Sequence, residues 1–186
     1  IETMITSSAV KDENDEVVAF QGTIRDVTER RRAERKLQRS EYFLHCTFDA
    51  LPTNLAVLDE EGNIIRVNES WRRFGLENGL EWEDYGVGRN YLEVLENSSG
   101  DSMEGAREAL KGIRKLLAGQ NEEIRIEYPC HSPDEQRWFI MLGTSFDTER
   151  GIRVVLAHTD VTERRLTEEA LKASERRFRR TVASAP

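Results

Sequence analysis

The sequence predicts an α+β fold, a five-stranded antiparallel sheet with helices on one face, flanked by long connecting helices. Two observations predict it. Strand-like and helix-like segments follow one another in the order two strands, helices, three strands. In addition, the charged segment Asp26–Arg31 recurs as Asp160–Arg165, and each copy precedes a long helical pattern. The recurrence brackets one domain-sized unit.

The first two strands are predicted to form a hairpin. Leu55–Leu58 and Ile64–Val67 are short apolar runs separated by a turn-rich interval. Asn68 follows the second run and can cap a short helix. That helix places Trp71 and Phe74 on one face.

A longer helix and three more strands complete the unit. Gly119 is well placed to end this helix. Its apolar residues recur at helical spacing and are Ala106, Ala109, Leu110, Ile113, Leu116 and Leu117. The three strands are predicted at Glu123–Tyr128, Arg137–Phe146 and Ile152–Thr159. We expect a small cavity between the sheet and the helices.

Each copy of the repeated segment is predicted to open a helix, because its Asp is followed three positions later by Glu. Both helices then show the same heptad phase, at Ala33, Leu37, Ser40, Leu44, Thr47 and Leu51, and at Thr167, Leu171, Ser174, Phe178, Thr181 and Ala185. Many of these residues are small or polar, so we expect a weak parallel homodimer seam that allows two packings. The alternative is a charged surface helix that joins domains.

The repeat also predicts the domain organisation. Residues 1–26 are interpreted as the last strands of a preceding domain, 27–52 as a connecting helix, and 53–160 as a complete domain. Residues 161–186 are interpreted as a second connecting helix that leads to a further domain. We expect the chain to be a piece of a longer protein with an effector domain elsewhere.

Composition excludes several classes of function. A formal net charge of -8 argues against a nucleic-acid-binding surface. No stretch reaches the roughly 18 to 20 apolar residues that a membrane span requires. Cys46 and Cys130 are too few for a disulfide scaffold, so we expect reduced thiols in a cytoplasmic protein.

The sequence predicts neither a metal site nor catalysis. Cys130 and His131 are adjacent, and neighbouring side chains on an extended chain point to opposite faces. A phosphate-binding loop and a kinase signature are both missing from the sequence. This segment is therefore predicted not to be an enzyme.

Several motifs resemble PAS domains with their trailing PAC motif. These are Val67–Trp71, Gly88–Asn90 and the closing Asp160–Arg165. The resemblance covers residues 53–165 continuously, and residues 1–31 resemble the last two strands of another copy. It implies a multi-PAS sensor protein.

A finer similarity concerns residues 127–133 together with Arg137–Phe139, which resemble a PAS subgroup of bacterial and archaeal sensor histidine kinases. The resemblance implies a sensory module. The module binds a small ligand, or it relays a conformational signal through coiled-coil helices to an effector such as a histidine kinase. The alternative is a ligand-free dimerisation and relay module of a diguanylate cyclase or transcription regulator. The implied signalling-motif residues are Asp160, Thr162, Glu163 and Arg164, with Asp26 and Thr28 in the first copy.

The same resemblance bears on cofactors. Light-sensing relatives carry a flavin-reactive cysteine where this sequence has Tyr91, which excludes a covalent flavin adduct but not non-covalent flavin binding. Haem-binding relatives usually place a histidine on the long helix or adjacent strands, and residues 105–118 contain none. The cofactor is therefore left unknown, and neither haem nor a covalent flavin is expected.

The resemblance also implies a ligand pocket. His158 occupies the position of the cofactor-sensing glutamine of flavin-binding relatives, and Glu127 that of their pocket-facing asparagine. If the two met in one cavity, the carboxylate would raise the pKa of His158 and favour a small polar or charged ligand. Alternatively, they hydrogen-bond each other and close the cavity. The expected pocket residues are His158, Glu127, Tyr91, Trp71, Trp138 and Ile113.

Overall fold

The computed structural model describes residues 1–80, 82, 84–98, 103–130 and 136–183. By internal contacts the chain divides into two units, residues 1–48 and 49–186. His131 and Ala185, singled out in the sequence, lie outside the described residues.

The first unit is an antiparallel hairpin followed by a helix. Strand β1 (Thr3–Lys11) pairs with β2 (Val17–Asp26), and Thr3 lies opposite Asp26. Helix α1 (Thr28–Ala50) then extends for 23 residues without a buried residue. On its heptad positions, Leu37 and Leu44 are 60% and 62% exposed.

The second unit contains a five-stranded antiparallel sheet in the order β4-β3-β7-β6-β5. The strands are β3 (Asn54–Leu58), β4 (Ile64–Val67), β5 (Glu123–Pro129), β6 (Trp138–Thr148) and β7 (Gly151–Asp160). The two strands nearest the N-terminus form a hairpin at one edge, and β7 lies in the middle. The predicted α+β class and sheet are confirmed.

The described part of the second unit also contains four helices, three between β4 and β5 and one after β7. They are α2 (Glu69–Glu77), α3 (Tyr91–Glu96), α4 (Met103–Leu117) and α5 (Thr162–Ala183). The side chain of Asn90 caps α3 by accepting hydrogen bonds from the amides of Leu92 and Glu93 at 3.0 and 3.2 Å. Within the described part of the chain, no helix is long and apolar enough to cross a membrane.

Helix α4 packs against one face of the sheet and contributes Ala109, Ile113 and Leu116 to the core. Its Ile113 and Leu116 are fully buried, as the helical spacing predicts. Gly143 of β6 permits the close approach, because a Cβ there would lie 2.8 Å from Cγ1 of Ile124 and 2.9 Å from Cδ1 of Leu116. Each such large aliphatic side chain stabilises the fold by about 1.5 to 3 kcal/mol on burial.

Asn68 is a fully buried polar residue that joins three segments. Its Oδ1 accepts hydrogen bonds from the amides of Leu55 and Trp71 at 2.9 and 3.0 Å. Its Nδ2 donates to the carbonyls of Leu51 and Thr53 at 3.2 and 2.8 Å. Both ends of the side-chain amide are therefore satisfied, and Asn68 fixes the start of α2 to the start of β3.

We predict that Asn68→Ala lowers the free energy of unfolding by about 2 to 4 kcal/mol, because it leaves several interior backbone groups without a partner. Urea denaturation measures the loss. Asn97→Ala is the matched control, since Asn97 is exposed at the end of α3, and it should change stability by less than about 0.5 kcal/mol. Equal losses in the two variants would contradict the role assigned to Asn68.

Candidate ligand-binding site

A cavity of about 370 Å³ is lined by residues from α2, α3 and four strands of the sheet. Its walls are largely aromatic, with side chains from Trp71, Phe74, Trp82, Tyr85 and Phe139. The rings of Phe74 and Phe139 meet edge to face, with centroids 5.3 Å apart. Among the described lining residues, none is Asp, Glu, Lys or Arg.

Three polar side chains meet on the cavity wall, and we call them the Tyr–His–Tyr cluster: Tyr91, Tyr128 and His158. His158 lies on the central strand β7 and is only 7% exposed. Its Nδ1 is 2.6 Å from Oη of Tyr128, and its Nε2 is 3.4 Å from Oη of Tyr91. The ring of Trp71 packs edge-on to the imidazole at 5.4 Å between centroids.

Burial keeps the cluster uncharged. It lowers the pKa of His158 to about 4, because a charged imidazole would lose its hydration. Burial likewise raises the pKa of Tyr91 and holds that of Tyr128 well above its ordinary value. All three groups are therefore neutral at pH 7. The pKa of His158 is therefore lowered, opposite to the rise expected if the carboxylate of Glu127 faced it.

Three of the six expected pocket residues line the cavity, namely Trp71, Tyr91 and His158. Trp71 comes from α2, where Asn68 fixes its backbone, and Tyr91 is the first residue of α3. His158 lies opposite Met141 of β6 and Asn54 of β3. The sequence thus identified one residue on each of three elements that meet at the cavity.

Glu127 does not reach the cavity. Along β5, Ile124 and Ile126 are buried and Tyr128 lines the cavity. Side chains alternate along a strand, so Glu127 lies on the other face, where it is exposed. Its Oε1 accepts a hydrogen bond from Arg165 at 2.8 Å. The predicted pairing of Glu127 with His158 is wrong.

Trp138 and Ile113 are also absent from the cavity lining. Trp138 precedes Phe139 on β6, and Phe139 is the residue that lines the cavity. The guanidinium of Arg165 lies 4.9 Å from the centroid of the Trp138 ring. Ile113 belongs to the core that α4 forms with the sheet. For both residues the expectation of pocket contact is wrong.

Trp82 and Tyr85 are lining residues that the sequence analysis missed. They belong to the segment between α2 and α3, where the sequence analysis predicts no helix or strand. Tyr85 has a positive φ of 55°, uncommon for a residue with a side chain. Its carbonyl accepts a hydrogen bond from Nε1 of Trp71 at 3.1 Å, and its amide donates to Trp82 at 3.0 Å. Tertiary contacts therefore position Trp82 and Tyr85 on the cavity wall.

The repeated Asp-Val-Thr motif makes the same junction at the end of each hairpin. In the second unit, Asp160 Oδ1 accepts from the amide of Thr162 at 2.8 Å, and Thr162 Oγ1 accepts from the amide of Trp138 at 3.0 Å. The amide of Val161 donates to the Trp138 carbonyl at 2.9 Å. These bonds join the strand end and the helix start.

The first unit repeats the pattern. Asp26 accepts from the amide of Thr28 at 2.9 Å, and Thr28 Oγ1 accepts from the amide of Glu2 at 2.7 Å. Val27 donates to the Glu2 carbonyl at 2.9 Å. The Asp and Thr residues of the motif therefore have a structural role in both copies.

The other two motif residues, Glu163 and Arg164, are exposed on the first turn of α5. Arg164 forms an ion pair with Glu168 at 3.7 Å. An exposed pair of this kind contributes about 0 to 1 kcal/mol. We therefore assign these two residues no part in the junction.

Cys130, the residue after β5, lines the cavity and is a partly buried free thiol. Burial raises its pKa, which keeps it a thiol. No group of three or more His, Cys, Asp or Glu side chains in the described ranges is placed to hold a metal ion.

Comparison with known proteins identifies the family. The sequence model of the PAS fold matches residues 48–166, and that of a PAS domain matches residues 1–29. The chain belongs to the PAS family. Membership makes the matched region a sensory signalling module in general terms.

Individual relatives cover this PAS region to different extents. An uncharacterized 104.1 kDa protein in the hypE 3′ region of Rhodobacter capsulatus is 36% identical over 126 residues, which are 67% of this chain and 13% of that protein. The PAS domain of BvgS from Bordetella pertussis is 16% identical with a TM-score of 0.50, covering 74% of this chain and 98% of that one. A PAS domain of an HTR-like protein from Haloarcula marismortui is 23% identical with a TM-score of 0.47, covering 70% and 98%.

The buried imidazole predicts a pH dependence of stability. Unfolded histidine takes up a proton near pH 6.5, whereas folded His158 does so only near pH 4. The free energy of unfolding should therefore fall as the pH falls through this window, by about 2 kcal/mol between about pH 7 and pH 5. Urea denaturation at both pH values measures the change.

His158→Gln should lose this component, while His45→Gln, which replaces an exposed histidine, should keep it. The effect is read as the difference between the pH slopes of the native and variant proteins, which cancels carboxylate titration. Identical slopes for all three proteins would show that His158 is not held neutral in the fold.

Proposed function

We propose that the PAS domain of the second unit binds a small ligand in the aromatic cavity and relays its occupancy to an effector. The observation that carries the proposal is the position of the Tyr–His–Tyr cluster inside the cavity. Buried polar groups that converge on an apolar cavity are typical of ligand sites. Two continuous chains of contacts support the relay.

The first chain of contacts runs towards α5. His158 is two residues from Asp160 on the same strand, and Asp160 makes the junction that starts α5. A ligand that shifts the imidazole acts on β7, the strand paired with both β3 and β6. Because β-sheet pairing is rigid, the shift reaches the helix start through Thr162.

The second chain of contacts runs through α2 to the last residues of α1. Trp71 lines the cavity, and the preceding turn of α2 is bonded to residues 49–51. Ser70 Oγ and Asn68 Nδ2 both donate to the Leu51 carbonyl, at 2.9 and 3.2 Å. The amide of Glu69 donates to Asp49 at 3.2 Å. A shift of α2 is therefore coupled to this segment.

We extend the proposal to the whole protein as follows. Two copies associate through α1 and α5, and the effector is a histidine kinase domain of the same chain in the cytoplasm. The heptad positions support the association, because Leu37, Leu44 and Leu171 are each at least 60% exposed. The segment itself is assigned no catalysis and no nucleic-acid binding, in keeping with its net charge of -8.

We predict that filling the cavity abolishes ligand binding. Val94 lines the cavity from α3, and Val94→Trp should occupy its volume. In a thermal-shift screen of metabolites, at least one compound should raise the Tm of the native protein by about 5 °C at a concentration near 100 times its Kd. It should not stabilise Val94→Trp.

Val10→Trp, on the exposed hairpin of the first unit, is the matched control and should respond like the native protein. If no compound stabilises the native protein, or if Val94→Trp responds equally, ligand sensing in the cavity is wrong. The ligand-free relay module would then be favoured.

We predict that Leu37→Glu combined with Leu44→Glu weakens dimerisation at least about tenfold, because charge at seam positions is costly to bury. Sedimentation equilibrium measures the dissociation constant. Gln38→Glu combined with His45→Glu adds the same charge at exposed positions outside the heptad phase and should leave it unchanged. Equal weakening in both double variants would contradict the seam.

A further inference from the structure

The Tyr–His–Tyr cluster has more polar hydrogens than its own contacts can use. A neutral imidazole carries one N–H and one lone pair, and each phenol carries one O–H. The cluster therefore holds three hydrogens. It makes only two contacts, Tyr128 Oη to Nδ1 at 2.6 Å and Tyr91 Oη to Nε2 at 3.4 Å.

In either tautomer of His158, one phenol hydrogen has no acceptor within the cluster. If Tyr128 donates to Nδ1, the ring hydrogen is on Nε2 and points to Tyr91, whose own O–H is then unused. If Nδ1 donates to Tyr128, Tyr91 donates to Nε2 and the O–H of Tyr128 is unused. In the described part of the chain, neither phenol has a hydrogen-bond partner other than His158.

The unused hydrogen lies in a largely buried, mainly aromatic space. Tyr91 is 9% exposed, and both phenols line the cavity. A buried O–H without an acceptor costs about 1 to 3 kcal/mol. A ligand atom that accepts this hydrogen bond removes the penalty, whereas a hydrocarbon does not.

The cavity also favours uncharged ligands over ionic ones. No Asp, Glu, Lys or Arg occurs among its described lining residues. Burial lowers the pKa of His158 to about 4 and raises those of Tyr91, Tyr128 and Cys130, so these groups are uncharged at pH 7. An ionic ligand would lose its hydration without gaining a counter-ion from them.

Size and shape set the remaining requirement. A volume of about 370 Å³ is near the lower end of the roughly 300 to 1,000 Å³ of small-molecule sites. The rings of Trp71, Phe74 and Phe139 offer edges and faces to a flat guest. Offset and edge-to-face contacts between aromatic rings favour such a guest beyond simple burial.

We infer that the cavity takes an uncharged, flat aromatic molecule with a hydrogen-bond acceptor, such as a ketone, an amide or a ring nitrogen. The acceptor receives the spare hydrogen of Tyr91 or Tyr128. The inference rests on the proposed function, because it names the ligand class of the same cavity. It replaces the charged ligand that a facing Glu127 would have favoured.

Four naphthalene probes of nearly equal shape test the inference. They are 2-acetylnaphthalene, its isosteric alkene 2-isopropenylnaphthalene, the anion 2-naphthoate and the cation 2-naphthamidinium. Isothermal titration calorimetry at neutral pH gives their affinities. The ketone should bind at least about tenfold more tightly than the alkene, as one buried hydrogen bond allows. It should exceed each ion by a similar factor.

Variants locate the probes and the donor. Val94→Trp should abolish binding of all four probes if they occupy the cavity. The triple variant Tyr91→Phe, Tyr128→Phe, His158→Phe keeps the aromatic walls and removes every cluster hydrogen, so ketone and alkene should then bind within about twofold of each other. Circular dichroism checks its fold.

A measurement on the native protein covers the case of a misfolded triple variant. Isotope-edited infrared spectroscopy of carbonyl-labelled 2-acetylnaphthalene should show the bound carbonyl stretch at lower frequency than in hexane, because a donated hydrogen bond weakens the C=O bond. An unshifted carbonyl stretch overturns the inference. So does equal binding of ketone and alkene, tight binding of either ion, or failure of all four probes to bind.

These outcomes are distinguishable from failure of the proposed function. A metabolite that stabilises the native protein but not Val94→Trp keeps the cavity as a sensory site, whatever the probes do. In that case only the ligand class assigned here is wrong.

Discussion

Successive side chains of a strand point to opposite faces of its sheet, and helices α2 to α4 pack on one face of this one. The register of β5, β6 and β7 therefore decides which groups meet in the cavity. Tyr128 lies opposite Phe139, and Met141 lies opposite His158. A slip of one residue in β5 would exchange the phenol of Tyr128 for the carboxylate of Glu127 and reverse the chemistry of the site.

Two buried polar groups of the domain differ in whether their hydrogen-bonding capacity is fully used. Asn68 has a partner for both ends of its amide, and it holds the start of α2 in place. The cluster around His158 keeps one donor in excess. Saturated polar groups in an interior specify a conformation, while an unsaturated one leaves a hydrogen-bonding group available to a further partner.

The fold class and the cavity differ in how far they could be predicted from sequence. The periodicity of apolar residues in the sequence predicts the strands and the long helix. On β5 the alternation also indicates that Tyr128 faces inward, yet the resemblance to flavin-binding relatives placed Glu127 there. The start of β6 is apolar on both faces, so alternation could not separate Trp138 from Phe139. Tyr85 is positioned by a hydrogen bond from a distant tryptophan, which leaves no local signal.

The junction made by the Asp-Val-Thr motif recurs with the same bonds at Val27 and Val161. Every bond in it lies within one hairpin and the first residues of the following helix. Gene duplication or domain exchange that cuts the chain after this motif therefore carries the helix start along with its hairpin. The rotational phase of the helix relative to its hairpin is therefore inherited with the module.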